Sequence, residues 1–260
     1  MTTDTEQAAP VLVERDGRIQ IITLNRPDAR NAVNRALAEG IAAALDELDA
    51  DDSLSVGVLT GAGGGFCAGM DLKAFVAGES PYVEGRGFAG ITQRSSRKPL
   101  IAAIEGFAVA GGFEVALSCD LIVASKGARL GIPEVKRSLV AAAGALFRLP
   151  RRIPYHLAME LALTGDPIDA ERGHQLGLVN RLAEPGGALD AALELAGDIV
   201  KNGPLALIAS KEIVQGSRDW TEEESWEKQG PIAGPVMTSE DAREGAVAFA
   251  EKRDPVWKGR

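Results

Sequence analysis

Residues 100–125 read LIAAIEGFAVAGGFEVALSCDLIVAS, and their order decides the architecture. Pro99 precedes an apolar run, LIAAIEGFA, which predicts a buried strand. Gly111 and Gly112 then open a short helix, GGFEVALSC, and DLIVAS predicts a second buried strand. Upstream, VLVERDGRIQIITLN reads as a hairpin, with two β-branched runs flanking a tight turn at Asp16-Gly17. A polar loop, RPDARNAVN, leads to a helix from about Asn34 to Ala50, where Leu37, Ile41, Leu45 and Leu48 recur at helical spacing. SVGVLTG is a further strand, and it runs into a glycine-rich loop.

The stretch 74–97 is polar and glycine-containing, and reads as a mobile segment with some helix. After DLIVAS come a loop, GARLGIPEVK, and helices near 141–149 and from about Tyr155 to Leu163. A turn at TGDPID starts a helix that ends at Gly177, and LVNRLAE is a last short strand. Three helical stretches follow: ALDAALELAGDIVKN, PLALIASKEIVQG and SEDAREGAVAFAEKR. Strands and helices alternate to about residue 184 and only helices follow, which makes the chain α/β with a helical tail.

Bulk properties narrow the function. The 260 residues suffice for one large domain with an appendage, and the net charge of −9 argues against a sequence-independent nucleic-acid binder. Cys67 and Cys119 form no disulfide framework, and His156 and His174 are too few and too scattered for a zinc site, so no metal is expected. The start, MTTDTEQAAP, lacks the features of a signal peptide, and no apolar run is long enough to span a bilayer. A cytoplasmic protein without membrane or nucleic-acid partners is the expectation.

Three constellations carry chemistry. GVLTGAGGGFCAGMDLK, residues 57–73, has the glycine density of a phosphate cradle. Counted from Gly61, however, Phe66 takes the third glycine position of a dinucleotide fingerprint. Counted from Gly63, Ala68 is tolerable there, but Asp71 and Leu72 follow where the helix should be under way. Met70 and Asp71 after Gly69 also exclude a triphosphatase loop, which ends in G-K-[ST]. The second constellation, GFAVAGGFEVALSCD, sets unpartnered N–H groups at a helix start beside Glu114, the arrangement of an oxyanion hole or of a plain strand–helix turn. The third is Glu134 in GIPEVK, which one strand and its return loop could bring to the same sheet end as Glu114. Paired carboxylates divide acid and base roles when their environments push their pKa values apart. A serine nucleophile is disfavoured because no G-x-S-x-G elbow exists.

Together, ITLNRPDARNAVN, GFCAGMDL, IAAIEGFAVAGGFEVALSCD, GIPEV and ALTGDPIDAERGHQLGLVN resemble the crotonase, or enoyl-CoA hydratase/isomerase, superfamily from about residue 12 to 260. The resemblance implies a spiral of ββα repeats over 11–200 after a flexible start (1–10), and a helical module over 201–260 that builds homotrimers, often paired into hexamers. It implies an acyl-CoA thioester substrate, with coenzyme A as part of that substrate and no separate cofactor. By position, the Met70 and Gly111 N–H groups would bind the thioester oxygen. Arg30, Ala68, Asp71, Leu72 and Lys73 would line the path of the CoA portion. Glu114 would activate water and Glu134 would protonate C2, giving an enoyl-CoA hydratase of fatty-acid or sterol side-chain breakdown. The alternatives are a Δ3,Δ2-enoyl-CoA isomerase, which needs only Glu134, and a non-catalytic acyl-CoA-binding member. Two departures from the family pattern, KRSLVAAAGALFRLPRRIP after GIPEV and Phe113 beside Glu114, point to a bulkier or polycyclic acyl group.

Overall fold

In the computed structural model, which describes residues 9–260, the hairpin pairs β1 (Val11–Asp16) with β2 (Ile19–Leu24), Asp16 opposite Ile19. The flexible start expected over 1–10 thus lies, for residues 1–8, outside the described residues. The tight loop is Gly17-Arg18, one residue later than the Asp16-Gly17 expected. Gly17 has φ 56°, and the first central position of a two-residue turn needs that sign, so glycine sets the register. Helix α1 (Arg35–Ala50) begins at Asn34, whose side chain accepts from the Leu37 N–H at 3.0 Å, and its apolar stripe is fully buried.

The chain then repeats one unit. Strand β3 (Val56–Gly61) leads through the glycine loop to α2 (Leu72–Val76). A small hairpin follows, β4 (Tyr82–Val83) with β5 (Gly87–Phe88). Next come β6 (Leu100–Ile104), β7 (Phe107–Val109) and α3 (Gly111–Ala116), then β8 (Leu121–Ser125), β9 (Arg129–Gly131) and a 3-10 turn over Pro133–Arg137. After α4 (Ala145–Arg148), α5 (Tyr155–Thr164), β10 (Ile168–Asp169) and α6 (Ala170–Gln175), β11 (Arg181–Ala183) closes the alternating part.

Two layers of strands result. One sheet has the order β1-β2-β3-β6-β8-β11, parallel except for the first hairpin. A second has the order β10-β9-β7. Single bridges, Val33 with Met70 and Cys67 with Ala108, carry the second layer back towards the N-terminus. Each turn of the chain therefore lays one strand in the first sheet, one rung in the second layer and then a helix or helical turn, which is the expected ββα spiral.

Three sequence expectations need correction. LIAAIEGFA is not one strand, because Gly106 at φ 56° bends the chain at Glu105-Gly106 and sends β6 and β7 into different sheets. GARLGIPEVK is not a plain loop, since it carries β9 and the 3-10 turn. The stretch 74–97 contains the end of α2 and the β4–β5 hairpin, and residues 86–92 are buried against α1. There Arg86, 4 % exposed, pairs with Asp46, and Ser96 Oγ donates to Asp49 at 2.6 Å.

The main core lies between α1, the strands and α3, with a second cluster under the sheet where Ala192 and Ala196 of α7 (Ala188–Val200) meet Val56, Val58, Ile101 and Val123. Helices α8 (Pro204–Gly216), α9 (Glu222–Met237) and α10 (Glu240–Glu251) complete the chain. Sequence reading missed α9, which contains Pro231 and Pro235. Its signal was the capping box of Thr221 with Glu224, and its prolines lie on the α8 side, beside Leu205 and Ile208. No helix among the described residues is long and apolar enough to cross a membrane.

Candidate active site

The glycine loop folds around its own chain. Asn31, fully buried, accepts from the Arg26 N–H at 2.9 Å and donates to Ala62 O at 2.9 Å and Gly65 O at 2.8 Å. A side chain on Gly61 or Gly65 would strike the loop backbone or the Phe107 ring within 2.4 Å. The glycines serve close packing, and the loop closes on the Asn31 side chain. Sequence reading passed over Asn31, and its signal was the repeated polar RNAVN stretch ahead of α1.

The loop delivers Met70 beside the start of α3. Val33 N–H donates to Gly69 O at 2.7 Å and Asp71 N–H to Val33 O at 2.9 Å, so the local ladder skips the Met70 N–H. Gly111 is the first residue of α3, and its N–H has no acceptor within that helix. The two backbones touch: a Cβ on Gly111 would lie 3.5 Å from the Gly69 Cα and 2.6 Å from the Phe88 ring, and one on Gly112 would lie 2.1 Å from Cys67 O. Ala110 turns the chain into α3 at φ 52°, ψ −134°, a conformation rare for a residue with a Cβ. Only glycine fits at 111 and 112, and the outcome is two unused N–H groups on adjoining segments.

A cleft of about 440 Å³ opens over these groups. Glu114 enters it from α3 and Glu134 from the 3-10 turn, as the second layer places β7 beside β9. Glu114 is 3 % exposed and accepts from the Ala145 N–H at 3.1 Å. Burial pushes its carboxyl up to about 7, with repulsion from Glu134 adding to the rise, against the opposing Ala145 bond. Burial also raises Glu134, whose Oε2 is buried without a hydrogen-bond partner.

Of the residues expected at the site, Glu114, Glu134, Met70, Gly111, Arg30, Ala68 and Leu72 line this one cleft. Asp71 and Lys73 do not line it. The Asp71 carboxylate caps α2, accepting from the N–H groups of Lys73 and Ala74, and pairs with Arg26 at 2.9 Å. Its role is to hold the loop. Replacing Asp71 by alanine should cost about 1 kcal/mol or somewhat more in chemical unfolding, from the lost cap and the half-buried ion pair. Arg30 sits at φ 54° with its guanidinium 4.6 Å from the Phe107 ring centre, at the exposed end of the cleft.

The 138–144 segment lines the cleft through Leu139, Val140, Ala142 and Ala143, as its position after GIPEV suggested. Phe113 does not: it is fully buried in the core, so it carries no information on the acyl group. Tyr82 and Phe88, absent from the sequence-based set, complete the wall from the β4–β5 hairpin. They escaped notice because that hairpin was not recognised.

Comparison with known proteins gives the family. Residues 14–260 match the family model described as enoyl-CoA hydratase/isomerase. The chain is 43% identical over 262 residues to the enoyl-CoA hydratase EchA19 of Mycobacterium tuberculosis, covering 98% of each chain. It is 42% identical to a carnitinyl-CoA dehydratase of Salmonella arizonae, over 94% of this chain and 97% of that one. Among solved structures, an enoyl-CoA hydratase from M. tuberculosis H37Rv matches with a TM-score of 0.95 and 61% identity, over 97% of this chain and 100% of that one. A carnitinyl-CoA hydratase from M. avium matches with a TM-score of 0.79 and 43% identity, over 98% and 100%. The paired carboxylates, the ββα spiral and these matches agree, and the chain belongs to the enoyl-CoA hydratase/isomerase family.

Proposed function

We propose that this chain is an enoyl-CoA hydratase, adding water across the 2,3 double bond of an enoyl-CoA thioester. One observation carries the reading: two carboxylates, the buried Glu114 and the half-buried Glu134, share a cleft with the unused N–H groups of Met70 and Gly111. The thioester oxygen sits against those two N–H groups and gains negative charge as water attacks C3. Donors fixed in place stabilise that charge without reorganising, and losing one typically costs roughly 3–4 kcal/mol. Glu114 takes a proton from the water as its oxygen bonds to C3. Glu134 gives a proton to C2, the π bond is consumed, and the proton on Glu114 returns to Glu134 through solvent. The balance closes with water alone, so the CoA enters only as part of the substrate and no separate cofactor is needed.

Arg30 and Arg137 at the cleft are cationic and suit the phosphates of CoA. Leu72, Val109, Leu139 and Val140 offer apolar surface to the acyl group, which suits a bulky hydrocarbon chain of fatty-acid or sterol side-chain type. The exposed apolar side chains Trp226, Met237 and Phe249 on α9 and α10 favour self-association, for which we propose a homotrimer or hexamer, and we propose a cytoplasmic location.

The test is a panel of enoyl-CoA substrates differing in chain length and ring content, with carnitinyl-CoA as the cationic member. Apolar enoyl groups should turn over best, and carnitinyl-CoA poorly, because the charged groups at the cleft beyond the two glutamates are arginines. The pH profile of kcat/KM should be bell-shaped, because the pair works only while it shares one proton, the reactive form carrying it on Glu134. Its alkaline limb should lie near 7, where the last proton leaves. Above that limb the pair is fully ionised and lacks a donor; below its acid limb the pair is fully protonated and lacks a base. Turnover that stays flat from pH 6 to 9 would remove the two-carboxylate mechanism.

A further inference from the structure

A second cavity, of about 540 Å³, lies behind α3, between its C-terminal end, α4 and α8. Five cationic side chains line it, Arg148, Arg151, Arg152, Lys211 and Arg218, against two carboxylates, in a chain whose net charge is −9. Both carboxylates are already engaged. Asp120 pairs with Lys211 at 2.6 Å and also accepts from Gln215 at 2.9 Å, while Asp219 pairs with Arg151 at 3.2 Å. Arg148 donates to Ala143 O at 3.2 Å and to Thr92 O at 2.5 Å.

The side chains of Arg152 and Arg218 make no hydrogen bond or ion pair among the described residues, yet both face this cavity. Half-buried Arg152 has its pKa held down to about 10, first by burial and then by repulsion from Arg218 and Arg148. Holding the partly buried Arg152 guanidinium among other cations, with no ion pair of its own, is costly. The apolar remainder of the wall, with Leu117, Ile199, Leu207 and Val214, would take an uncharged body.

We propose that this cavity is a binding site, separate from the catalytic cleft, for an organic phosphate: a doubly or more highly charged oxyanion attached to an apolar body. Guanidinium forks match phosphate oxygens two at a time, and the surplus of positive charge calls for more than one negative charge. The volume falls in the range of small-molecule sites. The site also communicates with the glutamates. Arg148 lies between the two cavities, bonding Ala143 of the cleft wall and drawing the Glu114 carboxyl down by its charge. An anion beside Arg148 offsets that charge, so occupancy moves the alkaline limb of the activity profile upward.

The experiment is thermal unfolding of the full chain titrated with inorganic pyrophosphate at constant ionic strength, beside R152Q, R218Q and the double variant. An R30Q/R137Q variant serves as the control for binding in the catalytic cleft. The expected result is a saturable rise in Tm that R30Q/R137Q retains and that requires about tenfold more pyrophosphate for each of Arg152 and Arg218 removed. Arg218 is exposed, so R218Q keeps the test valid if R152Q folds poorly. In the wild type, saturating pyrophosphate should also shift the alkaline limb to higher pH, and the double variant should not respond. A rise that survives in the double variant, or disappears in R30Q/R137Q, overturns the proposal. So does an absent rise in the wild type, and loss of self-association in R152Q/R218Q by sedimentation would then assign the arginines to a contact between copies of the chain.

Discussion

Glu114→Gln should lower kcat for hydration by ~10²–10⁴ and at the same time raise the stability of the protein at pH 8. The two effects share a cause. Glu114 is 3 % exposed, and its carboxyl is raised from 4.5 to about 7, chiefly by burial. The folded state therefore binds that proton more tightly than the unfolded state. The resulting stabilisation is complete below about 4.5 and is lost as the pH rises through about 7. Above 7 the ionised carboxylate costs about 3 kcal/mol at most, a value from the size of the shift. A neutral amide keeps an oxygen for the Ala145 N–H and carries no such cost. The variant should gain about 1–3 kcal/mol at pH 8, seen as several degrees in Tm, and about nothing at pH 4.5. An equal gain at both pH values would show that the carboxyl is not raised by burial. Full retention of Δ3,Δ2-isomerisation with loss of hydration would transfer the chemistry to Glu134 alone.

The second large effect is expected at Gly112→Ala. The added Cβ would stand 2.1 Å from Cys67 O and 2.6 Å from Cys67 C, both backbone atoms that no rotamer change can move. Either α3 or the glycine loop must shift, and these segments carry the two proposed oxyanion donors. Overpacking of this kind costs roughly 1–3 kcal/mol in stability. Because hydrogen bonds to the thioester oxygen depend steeply on position, kcat should fall by ~10²–10³. Gly197→Ala is the control, since Gly197 lies within α7 with nothing within 4 Å of the added atom. There alanine should be neutral or stabilise by up to about 1 kcal/mol, through helix propensity alone. Comparable activity losses in both variants would mean that the 67–112 contact does not position the site.

Much of this was legible from local pattern. The buried strands, α1 and the short GG helix follow from apolar spacing and from glycine at a helix start, interactions that span a few residues. The two glutamates stood out because each lies in a segment with a backbone signature, a GG-opened helix for one and a Pro-started turn for the other. What escaped was what distant contacts decide. The bend at Gly106 is legible only once β7 is seen to pair with β9, because a single apolar run looks the same whether or not it changes sheets. Helix α9 holds despite two prolines because its capping box and packing on α8 outweigh the local breakers.

Sequence alone therefore determined that the chain is α/β with a helical tail, that Glu114 stands at a glycine-opened helix, and that the loop at 57–73 is no nucleotide fingerprint. Tertiary structure alone decided that the segment carrying Met70 meets Gly111 through Gly69, that the Asp71 carboxylate caps α2, and that Phe113 faces the core. It also brought Arg152 and Arg218 into one cavity whose two carboxylates pair with other cations. The physical reason is range. Propensity and spacing act over a turn or a strand, whereas burial, which sets the Glu114 carboxyl at about 7, exists only when segments far apart in the chain exclude water together.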